Sequence, residues 1–379
     1  MADGQWAWRG TRRFLNRHRV ELSAAATALY PPTDRLGALL TRPGWLLDTP
    51  VDLADVTLDW TVEAAPPALD GTEPQARPTM PATYPSGRYA HYSRAIRDLD
   101  RPTLFDNKLS YRLLEVAAGP RLTFGHTTYF DAVDACEAVA HETARVAETA
   151  TPNGLRWGRL PFRQLVGDPF DLTRRPLLPS INTVTIRAGR PARFVLHRRN
   201  AGHVAVAGGM YHVMPAGVFQ PSGISPAHQA HDFDLWRNVM REYSEEYLGV
   251  GEHDGSSSRL VDYDHTEPFR SMYAARRDGT LRVFYLGLGL DALTLFGEIL
   301  TVAVFAADLF DRLFDGLVPV NSEGAVVLAS PAGRAADGLP FDEPTVRRLL
   351  EGEPLAPSAA ACLHLAWRSR AQILADLAG

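Results

Sequence analysis

The residues best placed to do chemistry lie in one ten-residue run, Arg241-Glu242-Tyr243-Ser244-Glu245-Glu246-Tyr247-Leu248-Gly249-Val250. On a helix, Glu242, Glu245 and Glu246 stand at i, i+3 and i+4, so their carboxylates share one face. Like charges at that spacing repel and weaken the helix unless a positive charge offsets them. A divalent cation does so. Hard oxygen ligands suit Mg²⁺ or Mn²⁺, which in turn bridge phosphate oxygens. Arg241 can pair with one carboxylate and hold its orientation.

These side chains need a helix beside a sheet. Residues 233–247 are predicted helical: Asp232 is the expected N-cap, Leu235, Val239 and Tyr243 recur every four residues, and Gly249 lies past the end. Upstream, residues 182–187 and 192–198 alternate around Gly189-Arg190-Pro191 as a hairpin, and 204–214 is a third strand. Residues 217–231 read as a loop. Downstream, 260–262, 271–276 and 281–288 read as strands, the last two joined through Asp278-Gly279. Residues 343–350 and 358–377 read as helices.

The run resembles the signature of the Nudix hydrolase family, G-x5-E-x7-R-E-U-x-E-E-x-G-U with U apolar. Arg241, Glu242, Tyr243, Glu245 and Glu246 fall on its R-E-U-x-E-E core, and Gly249-Val250 on its G-U end. His212-Val213-Met214-Pro215-Ala216-Gly217 is similar to the strand and Pro-Gly turn that precede the family's loop and helix. The resemblance covers residues 182–340. There are three departures. Leu248 is one residue more than the signature has before its glycine. Phe233, between Asp232 and Asp234, occupies a position where the signature has glutamate. Gly217 lies about ten residues too far ahead of Arg241. The wider layout is similar to actinobacterial proteins, regulators among them.

The resemblance implies hydrolysis of the phosphoanhydride in a nucleoside diphosphate linked to another moiety. Glu242, Glu245 and Glu246 would hold Mg²⁺ or Mn²⁺, which acidifies an attacking water, so Glu245 and Glu246 count as catalytic. A further carboxylate is expected as ligand or base from among Asp264, Glu267, Asp291 and Glu298. Glu298 is favoured because it follows Gly297 between two apolar runs, where a loop beside the sheet is expected. Arg187, Arg198 and Arg199 on the early strands, with Gly217 at the turn, are expected to meet the substrate. Arg241 and Gly249 are expected to be structural. The ligand is a nucleotide-type small molecule. The second class of function is a non-catalytic Nudix-like nucleotide sensor that reports through the N-terminal half. The altered flanks favour the sensor, and the retained carboxylates favour the hydrolase.

Other constellations weigh less. Gly287-Leu288-Gly289-Leu290-Asp291-Ala292 fits a G-x-G-x-x-A dinucleotide fingerprint with Asp308 following, but no alternation of strands and helices comes after it. His228-x-x-His231 has no cysteine nearby to complete a zinc site. Cys136 lies on the apolar stripe of a predicted helix and reads as a buried thiol, not a nucleophile partnered by His126 or His141.

The chain of 379 residues is long enough for two or three domains. Its net charge of −5 excludes a chain-wide basic footprint for nucleic acid. Lys108 is the sole lysine, so no GxxxxGK[ST] phosphate loop exists. Two cysteines, Cys136 and Cys362, exclude a disulfide scaffold and suit a reducing compartment. No apolar stretch reaches the ~18 residues of a membrane span, and no leader is evident at the start. A cytoplasmic location without a membrane partner is expected. Residues 1–175 are expected to form a separate α+β region. Within it lie a basic amphipathic helix (8–19) with a solvated face, a short helix (36–47), a strand (56–62), a Pro-rich loop (63–86) and a helix (131–149). That region is open to capping the site, choosing the substrate or mediating a homodimer. Residues 176–379 are expected to form an α/β Nudix-type α/β/α sandwich with a mixed sheet, followed by C-terminal helices.

Overall fold

The computed structural model describes residues 2–83, 86–149, 154–199, 210–250, 259–315, 317, 324–326, 338–375 and 377. Its strands are β1 (Arg35–Leu36), β2 (Leu39–Leu40), β3 (Leu46–Asp52), β4 (Thr57–Trp60), β5 (Leu109–Ala117), β6 (Arg121–Thr128), β7 (Pro179–Arg187) and β8 (Arg193–Phe194). They continue as β9 (Leu196–Arg199), β10 (Tyr211–Val213), β11 (Ala216–Val218), β12 (Leu281–Asp291), β13 (Gly297–Phe305), β14 (Gly324–Val326) and β15 (Leu339–Pro340). The helices are α1 (Ala2–Arg17), α2 (Arg19–Thr27), α3 (Tyr92–Leu99), α4 (Tyr129–Thr149), α5 (Pro161–Val166) and α6 (Pro226–His231). They continue as α7 (Leu235–Glu242), α8 (Phe269–Asp278), α9 (Ala307–Leu313), α10 (Glu343–Gly352), α11 (Pro357–Arg368) and α12 (Arg370–Ile373).

The architecture is mixed α/β around one mixed sheet. β12 and β13 form an antiparallel pair, and β13 runs parallel to β7 from Gly297–Pro179 to Phe305–Arg187. β2 and β3 extend the sheet beyond β12, while β11 and β8 pair with β7. Such central strands are buried on both faces and read as continuous apolar runs. Alternation then divides them. Val283, Tyr285, Ile299, Ala303 and Phe305 join the core that includes α4, α7 and α8 residues. Phe284, Leu286, Leu300, Val302 and Val304 join the core built with α10 and α11.

Several local expectations yield to this sheet. Residues 36–47 are strands and turns, not a helix, because β2 and β3 pair with β12 and leave Leu39 and Leu40 fully buried. The same pairing explains the G-x-G-x-x-A run. It lies within β12, at a bulge, and not at a strand-to-helix turn that would cradle a dinucleotide. Gly287 has φ +137, and a Cβ there would sit 2.5 Å from the Trp45 carbonyl oxygen. Glycine is present so that a neighbouring chain can approach. Residues 271–276 belong to α8 and not to a strand, so Asp278-Gly279 ends a helix instead of turning a hairpin. The hairpin expected over 182–198 forms only between β7 and β8; β9 turns away to pair with β10 and β14. Of the strand expected over 204–214, residues 204–209 lie outside the described residues, and β10 accounts for the rest.

On the N-terminal side, β4 forms as expected, in a three-stranded sheet with β6 and β5. Helix α4 also forms as expected, with Ala132, Cys136, Val139 and Ala140 buried. Its other faces are buried too, and each acid found there has partners. Asp134 accepts from Ser93 N, and Glu142 accepts from the amides of Phe162 and Arg163 at 2.8 and 2.9 Å. Glu137 pairs with Arg12 at 3.6 Å and Arg19 at 3.3 Å. The basic segment 8–19 is therefore not a wholly solvated face: Arg13 and Arg17 are exposed, but Arg12 and Arg19 are buried. The described part of 63–86 holds one short turn of helix, Arg77–Thr79, and buries Leu69, Ala76 and Met80. β1 to β3 share the large sheet with β7, β12 and β13, and one apolar cluster runs from Trp8 through α4 to Phe314. Among the described residues no helix is long and apolar enough to cross a membrane.

Candidate functional site

Helix α7 starts at Asp234, whose carboxylate accepts from Trp236 N at 2.7 Å and Arg237 N at 3.0 Å. Asp234, not Asp232, is the cap. Leu235, Val239 and Tyr243 are buried as the four-residue spacing predicts. After Glu242 the helix widens into a π turn, Tyr243–Tyr247, and Gly249 follows it with φ +66. A π turn carries one residue more than an α turn and commonly marks a functional site. Two tyrosines fix it: Tyr243 Oη bonds Thr185 Oγ1 at 2.7 Å, and Tyr247 Oη donates to Met214 O at 2.9 Å.

This turn separates the three glutamates. Glu242 and Glu245 line a cavity of about 270 Å³. Glu246 is buried and accepts from Ala216 N at 3.0 Å, clamping the start of β11. Glu242 lies so close to Gly217 that a Cβ at that position would overlap its carboxylate. The third carboxylate of this cavity from the expected set is Glu298, joined by Asp291. Glu298 is the second residue of β13 and not part of a loop. Its Oε2 accepts from Ser180 Oγ at 2.6 Å and Asn182 Nδ2 at 2.7 Å, both on β7, so the parallel β7–β13 pairing orients it. Asp291 Oδ1 accepts from Leu293 N and Thr294 N at 2.8 Å each, capping the β12–β13 turn.

Arg241 is buried and structural. It pairs with Asp232 at 3.2 Å and also feels the charge of Glu242. It also donates to Tyr263 Oη at 2.6 Å and Asn238 Oδ1 at 3.0 Å. Asp232 accepts in addition from Ser222 N at 2.7 Å and Tyr263 Oη at 2.7 Å. Burial works to raise the Asp232 pKa, but the Arg241 charge and these hydrogen bonds outweigh it and hold the carboxyl below its ordinary value. The carboxylate that Phe233 lacks is thus present one residue earlier.

Two of the arginines expected at the substrate, Arg187 and Arg198, lie elsewhere. Arg187 makes a two-pronged pair with Asp311 at 2.7 and 2.8 Å, and Arg198 stacks on Tyr211. Neither lines the cavity. Arg199 lies on β9, paired in register with Gly324 of β14, and its side chain lies outside the described set. Asp264 and Glu267 are exposed, Glu267 against Arg270 at 2.6 Å. His228 and His231 bond the carbonyls of Arg259 and Val261, at 3.3 and 2.8 Å. Cys136 is wholly buried, and burial pushes its thiol up to about 12. It is no nucleophile.

Two basic residues at the cavity were not foreseen, Arg19 and Lys108. Both come from the N-terminal half, outside the family-like region. The one signal for Lys108 was its being the chain's sole lysine. Carboxylate oxygens are suitable donors for a hard divalent ion, so the chemistry of Glu242, Glu245 and Glu298 fits Mg²⁺ or Mn²⁺. Among the described residues no three such side chains already stand around a single point. No family model and no curated protein matches this chain.

Proposed function

We propose that the chain is a Nudix-type hydrolase that cleaves the phosphoanhydride of a nucleoside diphosphate linked to another moiety, with Mg²⁺ or Mn²⁺, in the cytoplasm. The observation that carries this reading is that Glu242, Glu245 and Glu298 line one cavity together with Gly217. Helices on both faces of a mixed sheet support the α/β/α sandwich that the reading requires. The departures from the signature are compatible with this reading. The π turn has room for the extra Leu248, α6 occupies the lengthened loop, and Asp232 supplies the missing acid.

In this reading Glu242, Glu245 and Glu298 would hold the cation, while Glu246 holds β11 in place. The bound ion would polarise the diphosphate and acidify water. Glu298, steadied by Ser180 and Asn182, keeps a fixed orientation at the cavity wall. Glu245, on the same cavity wall, would also be placed to accept a proton from the attacking water. The absence of a bulky side chain at Gly217 leaves Glu242 against the main chain, where substrate phosphates can approach.

The nucleotide-sensor reading is favoured by a different observation: Arg19, Phe105 and Tyr129 of the N-terminal half line the same cavity, so occupancy would be felt there. One experiment separates the two. Nucleoside monophosphate release is followed across a panel of nucleotide-linked diphosphates with Mg²⁺ or Mn²⁺, for wild type, Glu245→Gln and Glu298→Gln. Metal-dependent turnover that both variants lose supports the hydrolase. Nucleotide binding without turnover supports the sensor.

A further inference from the structure

The C-terminal half lines the cavity with Glu242, Glu245 and Glu298, and the N-terminal half adds two cations, Arg19 and Lys108, beside Asp106. Arg19, the first residue of α2, is 4% exposed. Its Nη2 reaches Glu137 at 3.3 Å, but its Nε is buried with no hydrogen-bond partner among the described residues. Leaving a buried donor of a charged group unsatisfied is costly, but Nε of Arg9, Arg112, Arg163, Arg174 and Arg175 is in the same state, so this atom alone does not mark a ligand. What brings Arg19 to a ligand is its place on the cavity wall, beside Lys108. Lys108 stands immediately before β5 and lines the same space, its carbonyl fixed by Tyr129 N at 2.9 Å. A planar guanidinium and a compact ammonium together form a favoured pair for phosphoryl oxygens.

We infer that Arg19 and Lys108 bind phosphoryl oxygens of the ligand, so that the N-terminal half completes the site and restricts it to diphosphates and longer polyphosphates. One phosphate would meet a cation held by Glu242, Glu245 and Glu298, and the next would meet Arg19 and Lys108. The inference rests on the hydrolase reading for the first of these contacts only. It gives residues 1–175 a direct role in ligand selection: without α2 and the segment before β5, the cavity would keep Glu242, Glu245, Asp291 and Glu298 and lose Arg19 and Lys108.

The test is calorimetric binding of imidodiphosphate, a non-hydrolysable diphosphate, with malonate as the dicarboxylate control. Wild type is compared with Arg19→Gln, Lys108→Met, Lys108→Arg and Glu245→Gln, each in Mg²⁺ and again in EDTA. Wild type is expected to bind imidodiphosphate in preference to malonate. Lys108→Met is expected to weaken it about tenfold or more, as loss of a charge-assisted hydrogen bond implies, and Lys108→Arg to recover most of the loss. Lys108→Met carries the test if Arg19→Gln, which also disturbs Glu137, fails to fold. Unchanged affinity in Lys108→Met, equal binding of malonate, or no binding of imidodiphosphate to wild type overturns the inference. Binding that Lys108→Met abolishes but that ignores both Mg²⁺ and Glu245→Gln upholds the inference and counts against the metal site.

Discussion

Arg241 and Asp232 form a buried ion pair, 3.2 Å apart, that fastens the carboxylate helix to the loop in front of it. Both are almost fully enclosed, and Tyr263 bridges them by donating to Asp232 and accepting from Arg241. The pair sets the pitch at which α7 presents Glu242 and Glu245 to the cavity. Removing one member leaves a buried charge without its counter-charge.

Asp232→Asn is therefore expected to destabilise the fold by about 3–5 kcal/mol, measured by urea unfolding at neutral pH. The pH dependence has a definite sign. Asp232 has a depressed folded-state pKa, so its contribution is present above the ordinary value of 3.8 and is lost as pH falls through the lower folded value. The Asn variant should lose that acid-dependent part of the unfolding curve. An Asn variant as stable as wild type would mean the pair is not what holds α7.

Gly217→Ala places a methyl group where the Glu242 carboxylate now lies. The fold is expected to survive at a cost of about 1–3 kcal/mol, typical of overpacking. Metal-dependent turnover should fall far more than stability, because the carboxylate must move. Thermal unfolding and turnover measured on the same preparation check this; a drop in stability with full turnover would contradict it.

Glu245→Gln and Glu246→Gln are neighbours with opposite expected consequences. Glu245 faces the cavity, so its variant should lose about 100-fold or more in turnover with little change in stability. Glu246 holds the Ala216 amide, so its variant should lose about 1–3 kcal/mol of stability. Steady-state rates and denaturation midpoints for both proteins give the comparison. Equal effects on both readouts would remove the division of labour argued above.

His141 is buried in α4, where Tyr92 Oη meets its Nδ1 at 2.8 Å and Trp8 stacks on its ring. Burial, with the charges of Arg12 and Arg145, holds its pKa well below 6.5. The unfolded chain therefore takes up this proton first. Stability should fall by about 1.4 kcal/mol per pH unit as pH drops below 6.5, for as long as folded His141 stays neutral. His141→Gln should flatten that slope in urea titrations at successive pH values, and an unchanged slope would assign it to other groups.

The sequence by itself determined the elements whose cause is local. Helix α4 and helix α7 follow from apolar residues at helical spacing; Arg241 lies in a buried ion pair and Gly249 takes a positive φ past the π turn. The run of three glutamates was legible, as was Glu298, because carboxylates beside glycines and apolar strands are conspicuous. Where each one points was not. Glu246 turns to an amide thirty positions away in the chain, a bond that exists only once β11 lies beside the π turn. The expected helix at 36–47 became strands because β12 supplies a hydrogen-bonding edge and Gly287 lets the chains close up. Arg19 and Lys108 meet the glutamates only through packing of the two halves around one core. Periodicity reports which face of an element is buried; it carries no information on which distant charge will lie opposite that face, and that was settled by tertiary structure alone.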